Sequence, residues 1–229
     1  MVSPAAALAL LLTGAAAFAG DAPPARVVSM NLCTDQLAML IAAPGQVISV
    51  SWLAADPSVS VMADQARGIG LNHGSAEEVY LSAPDLVLAG TYSTGPAVQM
   101  LRRLGVRVET LPPAASVEDI RDGITHMGAL LGQPDRARAV LARFDADLAA
   151  ISPGAARLAA TYGANGFTAG PDSLSADAMS RAGLRLLAEE RGLSGQVALE
   201  ELVMAAPELL VTPSRYAAPS RAESLLDHP

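Results

Sequence analysis

Aromatic side chains follow several short apolar segments that are typical of buried strands. In a parallel sheet, the loops at the carboxyl ends of the strands form the ligand-binding edge. Aromatic rings there offer stacking faces, and an arginine offers a cation for a carboxylate or phosphate. The candidate ligand-binding residues are Trp52, Tyr92, Tyr162, Phe167, Arg215 and Tyr216. Two alternatives stay open, namely that Trp52 fills the core and that Tyr92 only occupies a turn.

Motifs for catalysis or for metal binding are missing from the sequence. The chain has no lysine, which excludes Schiff-base chemistry and a P-loop, and it has no G-x-S-x-G elbow. The three histidines, His73, His126 and His228, lack the spacing of metal ligands. We therefore expect neither an enzyme nor a metal site built from side chains. His73 or one of the candidate tyrosines could still serve as an axial ligand to haem iron.

A duplicated segment predicts two similar lobes. Glu77 to Ala89 returns 123 residues later as Glu200 to Thr212. Each copy has two acids in the first turn of a short helix, a proline that ends the helix, another acid and an apolar strand. Two copies are too few for a solenoid and favour duplicated α/β lobes. The simplest role for the first-turn acids is to complement the helix dipole, which contributes about 0.3–1 kcal/mol each.

The first lobe is predicted over residues 26–115. It starts with a strand at 26–30, followed by a helix over 35–43 that Thr34 caps. The segment 67–75 lacks the third glycine of a dinucleotide fingerprint, so we interpret it as a flexible loop. Its last residue, Ser75, would cap the next helix in a capping box with Glu78.

A helical connector is predicted over 116–151 and a second lobe over 156–229. Ser116 caps the first connector helix, Gly132 ends it, and Pro134 begins another. In the second lobe, 186–197 reads as a loose stretch. The second repeat is followed by a helix but by no further strand, which predicts that the chain lacks its C-terminal end.

Charge and the N-terminal segment indicate an exported protein. The formal net charge of −8 disfavours nucleic acid and anionic membranes as partners. Residues 1–19 are uncharged and end in Ala17-Phe18-Ala19, which predicts a signal peptide cleaved before Gly20 and a periplasmic location. The alternative is an ordinary N-terminal helix. The single cysteine cannot form an intramolecular disulfide.

These features resemble the periplasmic substrate-binding proteins of ABC importers for iron-siderophores, haem and cobalamin. The resemblance rests on Arg26-Val27-Val28-Ser29 before the Thr34-Asp35 helix start, on both Glu-x6-Pro-acid-Leu units and on the helical connector. It implies an α/β fold with two Rossmann-like lobes, each with a parallel sheet, joined by a long rigid helix, with the ligand in the cleft between them.

The resemblance also implies the ligand and the partner. The ligand would be a metal chelate, either cobalamin or a ferric siderophore, with haem as the alternative within the class and a non-transport α/β enzyme as the alternative outside it. Glu77 and Glu200 would dock onto arginines of the inner-membrane permease. No resident cofactor is implied, and we expect a monomer.

Overall fold

A five-stranded parallel sheet forms the first lobe. The computed structural model describes residues 22–92 and 95–212. The strands are β1 (Val27–Ser29), β2 (Val47–Ser51), β3 (Gly70–Asn72), β4 (Leu86–Gly90) and β5 (Val108–Leu111). They are ordered β3-β2-β1-β4-β5, and every neighbouring pair is parallel. This order has its switch point at β1, so the carboxyl ends of β1, β2 and β4 meet at one edge.

Helices cover both faces of this sheet because successive strand residues point to opposite sides. Val27, Leu86 and Leu88 are fully buried in one cluster, which also contains Ile41 and Met127. Val28 and Val87 lie on the other face, in a cluster with Val79, Val98 and Leu101. The first-lobe helices are α1 (Leu32–Ile41), α2 (Ala76–Leu81) and α3 (Gly95–Arg103).

Two packed helices, α4 (Val117–Leu130) and α5 (Pro134–Ala149), form the connector. Ser116 caps α4 in a capping box with Asp119, which agrees with the predicted cap. A Cβ at Gly128 would overlap the Cβ of Ala137, so glycine allows the two helices to approach closely. The ion pair between Arg121 Nε and Asp145 Oδ1, at 2.7 Å, also joins them. The segment after the first lobe is thus a helical hairpin whose second helix leads into the second lobe.

The second lobe has a three-stranded parallel sheet. Its strands β6 (Leu158–Thr161), β8 (Arg185–Leu186) and β10 (Leu209–Val211) are ordered β10-β6-β8. The short strands β7 (Phe167–Thr168) and β9 (Gly195–Gln196) form an antiparallel pair. The helices are α6 (Leu174–Arg181), α7 (Leu187–Arg191) and α8 (Leu199–Ala205). The α/β class and the parallel sheets confirm the fold predicted from the sequence.

Four local predictions are wrong. Asn31, not Thr34, caps α1 through its side chain, because Thr34 is buried against Ser29. The segment 67–75 contains the strand β3, and 186–197 contains the last residue of β8 together with α7 and β9. Ser75 does cap α2, but the Glu78 carboxylate accepts the backbone N–H of His73 and does not close a capping box.

The repeat persists in the backbone geometry. Ala83 and Ala206, which precede the two prolines, have φ values of 47° and 48°, in the left-handed region that residues with a Cβ rarely adopt. The acid after each proline holds a neighbouring strand. Asp85 accepts the backbone N–H groups of Ala25 and Arg26 at 2.8 and 2.9 Å, and Glu208 accepts that of Leu158 at 3.1 Å. The duplicated residues therefore have matching structural roles in both lobes.

Candidate functional site

Trp52 and His73 form an exposed aromatic pair at the carboxyl edge of the first sheet. Ser51 and Asn72 are register partners at the ends of β2 and β3, so the residues that follow them emerge side by side. The Trp52 and His73 ring centroids are 6.5 Å apart with an interplanar angle of 21°. Trp52 is 48% exposed, so its free face is open to a ligand and it does not fill the core. Such a pair can act as a stacking platform for a flat or apolar group.

A buried polar network positions both rings of this pair. Asp35 is fully buried and accepts the Ser51 backbone N–H at 3.2 Å as well as the Ser51 hydroxyl. The Asn72 side chain donates to the Ser29 carbonyl and to Ser49 Oγ, both at 2.9 Å. The residues just before Trp52 and His73 are therefore each held by a buried side chain, which pre-organises the platform.

Burial changes the acidity of Asp35. Removal from water disfavours its charged form and raises the pKa of this carboxyl above its usual value, while hydrogen bonds from Ser29 and Ser51 oppose the shift. The hydrogen bonds do not fully offset the burial. Asp35 is thus a buried acid that holds Ser51, the residue before Trp52.

Glu78 links His73 to helix α2. Its Oε2 accepts the His73 backbone N–H at 2.8 Å, and its Oε1 lies 3.5 Å from His73 Nδ1. Sequence reasoning considered His73 only as a metal ligand and missed its pairing with Trp52. The missed signal was β3, since a strand ending at Asn72 would have placed His73 at the same edge as Trp52.

The other predicted ligand-binding residues are distributed unevenly. Tyr92 follows β4 and is 87% exposed, and Phe167 in the second lobe is 57% exposed. Tyr162 is only 2% exposed and packs in the second-lobe core with Leu187 and Leu202, so its ring has no free stacking face. Arg215 and Tyr216 lie outside the described residues, as does the predicted signal peptide.

A cleft of about 410 Å³ separates the start of the connector from the second lobe. Its walls include Ser116 and Asp119 on the first side and Asp172, Asp177 and Glu189 on the other. Among the described residues, no predicted aromatic side chain lines it. The cleft is acidic, so it disfavours a ligand that presents carboxylates.

Hydrogen bonds favour the ionised forms of Asp119 and Asp177 and join the connector to the second lobe. The backbone N–H of Ala115 and the Ser116 hydroxyl lower the pKa of Asp119. The backbone N–H of Val117 donates to Asp177 at 2.7 Å and, together with Arg181, lowers the pKa of the Asp177 carboxyl. This hydrogen bond connects α6 of the second lobe to the first turn of α4.

The two repeat helices present matching acids to solvent. Glu77 and Glu200 each occupy the second position of their helix, α2 and α8, and both are exposed. Within residues 22–92 and 95–212, neither carboxylate makes an ion pair. Both acids are therefore available to a cationic partner.

The described residues contain neither a metal-binding cluster nor a helix that could span a membrane. No three His, Cys, Asp or Glu side chains in this part of the chain come together in a way that could hold a metal ion. None of the helices described combines the length and the apolar character needed to cross a bilayer.

The parallel sheets, the helical connector and the edge site define a two-lobed α/β protein of the binding-protein type. The chain belongs to the periplasmic binding protein family, whose model matches residues 27–229. The family comprises solute-binding components of ABC-type transporters, and membership implies a periplasmic location. No curated protein matches the chain.

Solved structures with the same fold are named for different ligands. A protein of Staphylococcus epidermidis, called a possible iron-binding periplasmic solute-binding protein, has a TM-score of 0.70 at 17% identity, covering 83% of this chain and 78% of its own. The vitamin B12 binding protein BtuF of Vibrio cholerae has a TM-score of 0.63 at 17% identity, with coverage of 83% and 76%. A haem-binding protein of Pseudomonas aeruginosa has a TM-score of 0.64 at 23% identity, with coverage of 89% and 77%. At these identities the similarity establishes the fold alone.

Proposed function

We propose that the protein captures a metal chelate, cobalamin or a ferric siderophore, between its two lobes and delivers it to the permease of an ABC importer. The observation that carries this proposal is the exposed Trp52–His73 pair at the carboxyl edge of the first sheet. An aromatic platform suits the large, largely uncharged surface of such a chelate. Phe167 would add an aromatic face from the second lobe, and Tyr92 one from the first.

The acidic character of the protein favours these chelates over haem. Haem carries two propionates, and a protein with a formal net charge of −8 disfavours their burial. Cobalamin and hydroxamate siderophores present mainly amides and carbonyls, which negatively charged surroundings repel less than they repel carboxylates. Arg215, which lies outside the described residues, would supply a cation for the phosphate of a corrinoid.

Glu77 and Glu200 would dock the loaded protein on the permease. Each lies at the same position of a duplicated helix, one per lobe, and each is exposed. A helix-dipole role explains one such acid but does not require that both stay free of partners. Two equivalent acids suit a partner that presents two equivalent cationic sites.

Reconstituted transport tests the delivery step. The double variant Glu77→Arg/Glu200→Arg should bind radiolabelled cyanocobalamin or ferrichrome as the wild type does, yet lose uptake into proteoliposomes that contain the permease. Asp64→Arg/Asp147→Arg makes the same charge change at residues with side-chain exposures of 81% and 76% and should transport normally. Normal uptake by the Glu77/Glu200 variant would contradict docking through these acids.

A further inference from the structure

The outward faces of α2 and α8 carry more than an acid. Tyr80 and Leu81 follow Glu77 at the i+3 and i+4 positions, so all three residues lie on one side of α2. Tyr80 is 46% exposed and Leu81 is 76% exposed. On α8, Val203 and Met204 follow Glu200 with the same spacing and are 67% and 84% exposed. We name these two surfaces the acid–apolar faces.

The acid–apolar faces differ from the ordinary outward side of an amphipathic helix. Val79 and Leu202 occupy the inward positions and are 0% and 3% exposed, so each helix already buries an apolar residue in its core. The outward positions would normally be polar. Single exposed apolar residues are common on protein surfaces, but here two adjacent ones recur at equivalent positions in both lobes.

We propose that the two acid–apolar faces together form one bipartite docking surface for the permease, in which Leu81 and Met204 are the main affinity anchors. This inference rests on the proposed function. The partner would present two equivalent sites, each an arginine next to an apolar pocket. Buried apolar anchors dominate the strength of most interfaces, whereas exposed charges mainly set the association rate and the register.

Charge argues against a second copy of this chain as the occupant. The protein has a formal net charge of −8, and pairing two acid–apolar faces would bring Glu77 and Glu200 against like charges. In the described part of the chain, neither acid has an ion-pair partner that would neutralise it. An arginine-bearing surface complements both the acid and the apolar residues of each face.

Binding kinetics on the permease in lipid nanodiscs test this assignment. We expect Leu81→Ala/Met204→Ala to weaken binding about 100-fold, mainly through faster dissociation. Glu77→Gln/Glu200→Gln should instead slow association and reduce its salt dependence. Val61→Ala, which truncates a 90% exposed apolar residue outside both helices, should bind like the wild type. Unchanged circular dichroism of each variant checks that it is folded.

The possible outcomes separate this inference from the proposed function. If the wild type binds the permease and only the glutamine variant is impaired, the apolar anchors are disproved and the proposed docking stands. If the wild type does not bind the permease, both are disproved. If light scattering shows a dimer of this chain that Leu81→Ala/Met204→Ala dissociates, the face joins two copies and the inference is overturned. Faster dissociation of the alanine variant, without faster dissociation of the glutamine variant, supports the inference.

Discussion

The two copies of the repeat have the same local structure but different surroundings. In the first lobe, β4 lies between β1 and β5, and Leu86 to Ala89 are fully buried. In the second lobe, β10 is at the edge of the described sheet and pairs with β6, and Leu210 and Val211 are 36% and 38% exposed. Backbone geometry thus follows from the repeated residues themselves, whereas burial depends on the neighbouring strands.

The largest expected difference between the copies concerns matched leucines. Leu86→Ala should lower the free energy of unfolding by about 3 kcal/mol, because it leaves a cavity in a closed core. Leu209→Ala should cost about 1 kcal/mol, since Leu209 is only partly buried. Urea unfolding measures both, with Trp52 fluorescence reporting the first lobe and far-UV circular dichroism the whole chain. Equal costs would show that the two strands have equivalent surroundings.

Asp35 makes the stability of the first lobe depend on pH. Its pKa is raised in the folded state by burial, so the folded protein binds the proton more tightly than the unfolded chain. The contribution of Asp35 to stability must therefore decrease as the pH rises from 3.8, its usual pKa, through the raised folded value.

Two substitutions of Asp35 separate its charge from its hydrogen bonds. Asp35→Asn should remove this pH dependence, whereas Asp35→Ala should cost about 2 kcal/mol because the Ser51 groups lose their acceptor. Urea unfolding across this pH range measures the difference between wild type and Asp35→Asn. A difference that is constant or grows in favour of the wild type with pH would contradict the account.

Asp85 and Glu208, the acids after the two prolines, should contribute unequally to the free energy of unfolding. Asp85→Ala removes the acceptor for two backbone N–H groups and should cost about 2 kcal/mol. Glu208→Ala removes the acceptor for one and should cost about 1 kcal/mol. Asp85→Asn retains an acceptor oxygen and serves as the control, with a smaller loss. Thermal unfolding ranks the three, and an equal loss for both alanine variants would refute the difference.

The smallest expected effect is the same in both lobes. Ala83→Gly and Ala206→Gly relieve the left-handed backbone conformation, which costs about 1–2 kcal/mol for a residue with a Cβ. The greater freedom of glycine in the unfolded chain offsets about half of this gain. Each substitution should therefore stabilise the protein by about 0.5 kcal/mol. Destabilisation by either would indicate that these prolines are not preceded by a left-handed residue.

Features that depend on nearby residues could be predicted from the sequence. The repeat predicted α2, β4, α8 and β10, and Ser116 and Pro134 correctly marked the helices of the connector. Trp52 was correctly placed at the end of a strand, because the apolar segment that forms β2 directly precedes it.

Features that depend on tertiary contacts could not be predicted. Strand β3 has weak propensity and forms because it pairs with β2, where a Cβ at Gly70 would come within 2.8 Å of the Ile48 carbonyl oxygen. The pairing of Trp52 with His73 and the burial of Tyr162 depend on such contacts between segments that are distant in sequence.

Calorimetric titration with chelates is the most direct test of the central claim. Cyanocobalamin, ferrichrome and haemin are titrated separately into the protein, and the account predicts one-to-one binding of cyanocobalamin or ferrichrome with a Kd below about 10 µM. Trp52→Ala should weaken that binding about tenfold by removing the stacking face, while Val61→Ala should leave it unchanged. Binding of haemin alone, no binding of any chelate, or equal affinity in the Trp52→Ala variant would contradict the account.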